Sequence, residues 1–253
     1  MSIERATISD SEWVRILPEL SKLPGVKLGS SVKCRQFVSA VLWVLRGGME
    51  WRMLPPEQGK WNSVFKRYSR WCANGVWDGL LGAFAKAADL QDVSIDGTIN
   101  RAHACAAGYK KDSAKQEALG RSKGGFSCKI HAVCDAHGLP LKFILTGGQA
   151  AENKQAIPLL EDINALCVLA DKAYDTNELR NWLKERGIKG VIPPKSNRKA
   201  EIECDFWLYK ERHAVECMFG KLKYYRRICT RFEKKAMNYM GMLSLASVFL
   251  WLR

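Results

Sequence analysis

Acidic side chains are in short supply in this chain of 253 residues. Only 26 Asp and Glu stand against 40 Lys and Arg, for a formal net charge of +14 at pH 7. That imbalance says little about fold, but it makes a polyanion the natural partner, either a nucleic acid or an anionic membrane surface. A long apolar run is also missing. The stretch MGMLSLASVFLWL near the C-terminus is shorter than the roughly 20 apolar residues a membrane span needs, so it is expected as a buried helix and no membrane partner is expected. At the other end MSIERATISD is polar and SEWVRIL is too short for a cleavable leader. The nine cysteines are an odd, scattered set. They fit reduced thiols and a cytoplasmic, nucleoid-associated protein. There are only four histidines. Cys128, His131, Cys134 and His137 have a metal-like spacing, but on a strand they alternate, with the two Cys on one side and the two His on the other, which is poor geometry for one tetrahedral zinc. No His/Cys set suggests a catalytic zinc, and no nucleotide-binding loop is present.

The length permits one large core, or one core with a smaller domain. Residues 10 to 90 read as helices punctuated by Gly and Pro. Lys33 to Arg46 carries Phe37, Val38, Val41, Leu42, Val44 and Leu45 at helical spacing, and Gly47-Gly48 closes it as a C-cap pair. After a turn at Pro55-Pro56, KWNSVFKRYSRW places Trp61, Val64, Phe65, Tyr68 and Trp71 on a packing stripe and leaves Lys66, Arg67 and Arg70 facing outward. The bland reading of that basic face is plain solvated surface. The functional one is a helix-turn-helix-like unit lying on DNA, with Arg67 and Arg70 better suited to base contact than Lys66 because a guanidinium bonds guanine bidentately. Trp77, Leu80, Leu81 and Phe84 form a further amphipathic segment that closes a small helical domain over 1–88.

From Gln91 the hydrophobic period changes to two. In VSIDGTI, Val93 and Ile95 fall on one side and Asp96 and Thr98 on the other. Residues Arg101 to Arg121 read as an exposed connection. GGFSCKIHAVCDAHG and LPLKFILTGG read as a hairpin turning at His137-Gly138. Asn153 to Ile163 reads as a helix. LCVLAD then runs uninterrupted and apolar into Asp171, the form of a strand buried on both faces whose carboxyl end is where ligands collect. A helix over Asn177 to Arg186 and the strand GVIPP follow. Two basic stretches remain: the loop Lys195 to Lys199, and KLKYYRRICTRFEKK, whose interleaved aromatics suit a phosphate backbone or, more plainly, a solvated helix end.

Between them lies YKERHAVECMFGKLK, Tyr209 to Lys223. On an α-helix Tyr209, Arg212, Glu216 and Lys223 fall within an arc of roughly 60°, beside an apolar stripe of Val215, Phe219 and Leu222. Charges at such spacing are ordinarily a solvated face with weak ion pairs. Here the spacing Y-x2-R-x3-E-x6-K resembles the signature of the insertion-sequence DDE transposases. Asp96 in VSIDGTINRAHACAAG, Asp171 in VLADKAYD, the strand GGFSCKIHAVCDAHGLPL and GGMEWRMLP all look like the branch named insertion sequence five. The resemblance covers nearly the whole chain. It implies an α/β architecture: a ribonuclease-H-like catalytic domain over 89–253, with a mixed five-stranded sheet and flanking helices, preceded by the small all-helical DNA-binding domain. Two positions depart from the pattern. Ala173 replaces the usual Gly after the second acidic residue, and Cys217 stands where a basic residue often follows the Glu.

The resemblance implies that Asp96, Asp171 and Glu216 converge as catalytic and metal-binding residues. Three clustered carboxylates repel one another, and a divalent cation removes the conflict. All-oxygen ligands suit Mg²⁺, with Mn²⁺ as substitute. Two such ions can serve an in-line phosphoryl displacement in which water cuts at the transposon ends and the freed 3′ hydroxyl attacks target DNA. Tyr209, Arg212 and Lys223 are implied as DNA clamps, acting with Lys66, Arg67 and Arg70. The expected partners are the terminal inverted repeats, target DNA and further copies of the chain in a homo-oligomer. His131, on a strand adjoining the site, is either a DNA contact or a satisfied structural histidine. Asp175 is a reserve ligand or the cap of the next helix. Two alternatives remain open: a DNA-binding regulator without catalysis, and a structure-specific nuclease of the same fold.

Overall fold

The computed structural model describes residues 7–107, 117–199 and 201–253. They form two compact units: described parts of 1–86, 101–117 and 222–253 in one, and of 87–100 and 118–221 in the other.

The first unit is mostly helical. Helix α1 (Asp10–Lys22) starts in a capping box, with Glu12 N–H donating to Ser9 Oγ at 3.2 Å and Ser9 N–H to Glu12 Oε2 at 2.8 Å. Helix α2 (Ser31–Gly47) is ended by Gly48 in the left-handed region. Helices α3 (Trp61–Ala73) and α4 (Val76–Ala85) bury Val64, Tyr68, Trp71, Trp77, Leu80 and Leu81, the apolar stripes expected from their spacing.

The C-terminal apolar run folds as α10 (Ala236–Trp251), buried on nearly every side. Among the described residues no helix is long and apolar enough to cross a membrane. Helix α10 crosses α3 and α4 closely at Gly241, where a Cβ would stand 2.6 Å from Cys72 Sγ and 2.9 Å from Trp77. Tyr68 donates its hydroxyl to the Asn238 carbonyl. The compact units therefore do not follow a single cut at residue 88, because the segment after Leu222 shares its core with the N-terminal helices.

In the basic stretch before α10, Arg227 and Arg231 are internal and the other five Lys and Arg are exposed. The stretch contains α9 (Arg226–Cys229) and the two-residue strand β7 (Thr230–Arg231). Arg231 is fully buried and donates to the carbonyls of Glu117, Glu233 and Lys234 at 2.7 to 3.0 Å. Arg227, 5% exposed, pairs with Glu233 at 3.1 Å. These guanidiniums hold the chain together instead of lining a phosphate backbone, and Tyr224, Arg226, Lys234 and Lys235 are left outside.

The second unit carries the sheet. Its strands are β1 (Asp92–Ala102), β2 (Gly120–Ser122), β3 (Gly125–Cys134), β4 (Pro140–Gly147), β5 (Cys167–Leu169) and β6 (Lys189–Val191). The main order is β4-β3-β1-β5-β6, with β1, β5 and β6 parallel and β3/β4 an antiparallel hairpin. Among the described residues the sheet has seven strands where five were expected. The short β2 extends the hairpin at Gly125–Ser127, and β7 pairs with Arg101 and Ala102 at the end of β1. Arg101 and Ala102 therefore belong to a strand, not a loop, while 108–116 of the predicted connection lies outside the described residues.

Both faces of β5 are covered. Val168 and Ala170 join Val93, Ile95 and Leu179 in one core, against α5 (Ala156–Leu160) and α6 (Asn177–Glu185). Cys167 and Leu169 join Val191 on the other face, where Leu208 and Tyr209 of α7 (Phe206–Tyr209) pack. The helix expected over Asn153 to Ile163 is shorter, a 3-10 turn at Asn153–Gln155 leading into the five residues of α5.

Candidate active site

The parallel register fixes the first two carboxylates. Ser94 lies opposite Leu169, and side chains alternate along a strand. Two residues on from Ser94 along β1, Asp96 takes the same face as Ser94, and Asp171 lies two residues beyond Leu169, just past the end of β5. Asp171 follows β5 directly and accepts the Ala173 N–H at 2.7 Å, so Ala173 supplies the backbone turn that holds this carboxylate. Asp96 accepts the Gly97 N–H at 2.8 Å. Burial raises the Asp96 pKa. The Gly97 amide and Arg212 oppose the rise, and the Glu152 and Asp171 carboxylates add to it.

The signature segment is not one α-helix. Helix α7 ends at Tyr209, a 3-10 turn spans Lys210–Arg212, and α8 runs over His213–Lys223. Val215, Met218, Phe219 and Leu222 are buried, so α8 docks by the stripe its spacing predicts. The tighter turn leaves Arg212 and Glu216 four residues apart and joined by an ion pair through Nη2 and Oε1. Arg212 Nη1 reaches Asp96 Oδ2 at 3.2 Å. One guanidinium thus bridges two of the three expected carboxylates. The Tyr209 ring lies 5.8 Å from the Arg212 Cζ. Lys223, the last residue of α8, is exposed.

As a donor set these carboxylates suit a hard divalent cation. Arg212 places positive charge between Asp96 and Glu216. Among the described residues no group of three His, Cys, Asp or Glu side chains is gathered to hold a metal ion.

Three residues here were not singled out by sequence. Glu152 presses on β1 from the opposite face, where a Cβ at Gly97 would meet its Cγ at 3.0 Å. Lys129, only 8% exposed, donates to Glu152 Oε1 at 3.2 Å and to the Ala150 carbonyl at 2.8 Å. The Tyr174 hydroxyl is buried without a hydrogen-bond partner. A lysine in an apolar strand such as β3 was the one available signal, because a buried ammonium requires a carboxylate.

The structure also places the residues whose roles the sequence left open. His131 is fully buried, with Nε2 2.8 Å from Thr146 Oγ1. It is a structural histidine with no surface to offer DNA, and burial and then Lys129 lower its pKa to about 4. Cys128 and Cys134 are buried and His137 is exposed beside Asp89. Asp175 is neither reserve ligand nor cap. Thr176 caps α6, while Asp175 accepts from Arg180, Arg198 and the Lys195 amide at 2.7 to 2.8 Å. Burial pushes its carboxyl up, and the Arg198, Lys195 and Arg180 bonds outweigh that to hold it far below the usual carboxylate range. Arg67 does not face outward like Lys66 and Arg70. It occupies the same helical stripe as Val64 and Trp71, stacks 4.3 Å from the Phe37 ring centroid, and donates to the Lys27 carbonyl at 3.2 Å.

Comparison with known proteins agrees with this architecture. Residues 8–81 match the family described as a putative transposase of the IS4/5 family, and residues 88–251 match the transposase DDE domain. A putative transposase for insertion sequence element IS6501 from Brucella ovis is 43% identical over 128 residues, 49% of this chain and 98% of that protein. A putative transposase for IS402 from Burkholderia cepacia is 35% identical over 120 residues, 43% of this chain and 54% of that protein. Among solved structures, the piggyBac transposase synaptic complex with hairpin DNA has a TM-score of 0.54 at 11% identity, covering 97% of this chain and 72% of that one. That likeness speaks to the ribonuclease-H-like fold alone. The DDE match spans well over half of the sequence, and the chain belongs to the DDE transposases, in their IS4/5 family.

Proposed function

We propose that this transposase cleaves DNA at the terminal inverted repeats of its own insertion sequence and joins the 3′ ends to target DNA, with Asp96, Asp171 and Glu216 as the metal-binding, catalytic carboxylates. The observation that carries the reading is the Arg212 guanidinium spanning Asp96 and Glu216, since a position that accommodates a cation between two carboxylates suits a metal-assisted reaction. Mg²⁺ or Mn²⁺ bound there, as a pair, would activate the attacking oxygen and stabilise the leaving one.

The protein's own groups bind and orient. Asp96 lies on β1 and Asp171 just past the end of the adjacent parallel strand β5, an arrangement that supports their acting together. Glu216, with its side chain 49% exposed, lies on α8 and pairs with Arg212 and His213. Tyr209, Arg212 and Lys223 hold the DNA strand next to these carboxylates without reacting. Lys66 and Arg70, exposed on α3, make phosphate or base contacts with the end sequence, and Arg67 shapes that helix from behind. In functional terms 1–88 recognises DNA and 89–253 performs the chemistry. The chain works as a homo-oligomer that brings two ends together, in the cytoplasm at the nucleoid. The piggyBac structural neighbour is itself a synaptic complex with hairpin DNA, in keeping with a DNA partner.

The test is cleavage of duplexes carrying the inverted repeats that flank the gene, with and without Mg²⁺. Asp96→Asn, Asp171→Asn and Glu216→Gln should each abolish cutting while DNA binding stays within a few fold. A variant that still cuts near the wild-type rate removes its residue from the assignment. Binding without cutting by the wild-type chain in Mg²⁺ would favour a regulator.

A further inference from the structure

Arg212 has two chemically equivalent uses. Its side chain is 16% exposed, with Nη1 donating to Asp96 Oδ2 and Nη2 to Glu216 Oε1. A guanidinium fork matches a phosphate as well as it matches carboxylates, and it cannot satisfy both with the same N–H groups. The oxygens it occupies are also those a divalent cation would take. The guanidinium therefore competes with a cation for Asp96 and Glu216, and DNA phosphate competes with those carboxylates for the guanidinium.

We infer that Arg212 couples cation binding to DNA binding: without DNA it neutralises Asp96 and Glu216 and keeps a cation out, and on taking a phosphate it releases both carboxylates to the cation. This rests on the proposed metal-binding role of Asp96 and Glu216. The geometry supplies what such coupling requires. Arg212 and Glu216 share a helical segment one turn apart, so the arginine can turn away while Glu216 stays in place. Asp96, on a strand 116 residues earlier, does not move with it. Linkage is reciprocal, so the cation tightens DNA binding by the same factor as DNA tightens cation binding. The consequence is a transposase that loads its metal on DNA and holds little of it when free.

The experiment is a Mn²⁺ titration of the full chain, followed by the electron paramagnetic resonance of free Mn²⁺. It is run without DNA and with a pre-cleaved end duplex terminated by a 3′-dideoxynucleotide, which offers neither a bond to cut nor a hydroxyl to attack. For the wild type, DNA should tighten Mn²⁺ binding roughly tenfold. Arg212→Ala without DNA should bind Mn²⁺ roughly tenfold tighter than the wild type, and DNA should then add less than about twofold. Arg212→Lys, which keeps the charge but loses the fork, should fall between them, and it serves if the alanine variant does not fold. The same duplex without protein measures the Mn²⁺ held by DNA alone, and Asp96→Asn removes one of the proposed ligands. Equal wild-type affinities with and without DNA, or an Arg212→Ala affinity no higher than wild type, overturn the coupling. If Asp96→Asn binds Mn²⁺ as the wild type does in both conditions, the assignment of Asp96 itself fails.

Discussion

Ser94 of β1 lies opposite Leu169 of β5, and this pairing aligns the ends of the two strands. Two residues beyond Ser94 on β1 is Asp96, and two beyond Leu169, just past the end of β5, is Asp171. Leu169 packs with Leu208 and Tyr209 of α7, while Val93, Ile95 and Val168 fill the core on the other face. The alternation that buries the valines is the same alternation that presents Asp96.

Exchanging Asp96 and Gly97 should therefore remove activity although charge and composition are unchanged. The carboxylate would move to the opposite face, where the Cβ at 97 meets Glu152 at 3.0 Å. Cleavage of end duplexes by the Asp96→Gly, Gly97→Asp double variant should fall at least about 100-fold, the scale of loss from misplacing a reacting group. Rates within tenfold of wild type would mean that the strand face is not what matters.

The basic helix α3 divides into surface and scaffold. Lys66→Ala and Arg70→Ala should weaken binding to end duplexes and each lower the slope of log K against log salt by roughly 0.9. Arg67→Ala should leave that slope unchanged and instead lower stability by about 1 kcal/mol, because its stacking on Phe37 and Trp71 is lost. Filter binding across a salt series and thermal unfolding separate the two kinds of effect.

Asp175 is a structural carboxylate whose charge the fold needs. Its folded pKa lies below the unfolded value of about 3.9, so its contribution is fully present above that pH and is lost as pH falls through the window below it. The side chain is 0% exposed and bonded to two arginines. Asp175→Asn should therefore cost roughly 3 kcal/mol at pH 7. Calorimetry below pH 4 should show the gap between the two proteins closing.

His131 gives a second, separate pH dependence. Folded, it stays neutral down to about pH 4, whereas the unfolded chain protonates it near 6.5. Stability is then full above pH 6.5 and declines as pH falls from there to about 4, by at most about 3 kcal/mol. Denaturant unfolding at half-unit steps should show this decline, and His131→Gln should flatten it.

Much of this protein was legible before any coordinates. The period-two run VSIDGTI, the apolar LCVLA ending at Asp171 and the stripe of Val215, Phe219 and Leu222 are local patterns, and they folded as strand, strand and helix. The shortfalls were also physical. A turn of 3-10 helix at Lys210–Arg212 costs little and leaves no periodic trace. The partner of Lys129 lies 23 residues away, on a turn no pattern announces.

The sequence by itself determined the identity and order of the acidic residues, the strand alternation that gives Asp96 its face, and a net positive charge suited to a polyanion. Only the tertiary structure decided what each arginine does. Arg67, Arg227 and Arg231 read as DNA-facing cations, yet they are folded inward onto rings, a carboxylate and carbonyls. Arg212 read as a DNA clamp, yet it bridges Asp96 and Glu216. A guanidinium carries a long apolar stem and a planar head that stacks as readily as it solvates. Whether it meets water, a ring or a carboxylate depends on what distant parts of the chain bring beside it, and local spacing carries no record of that.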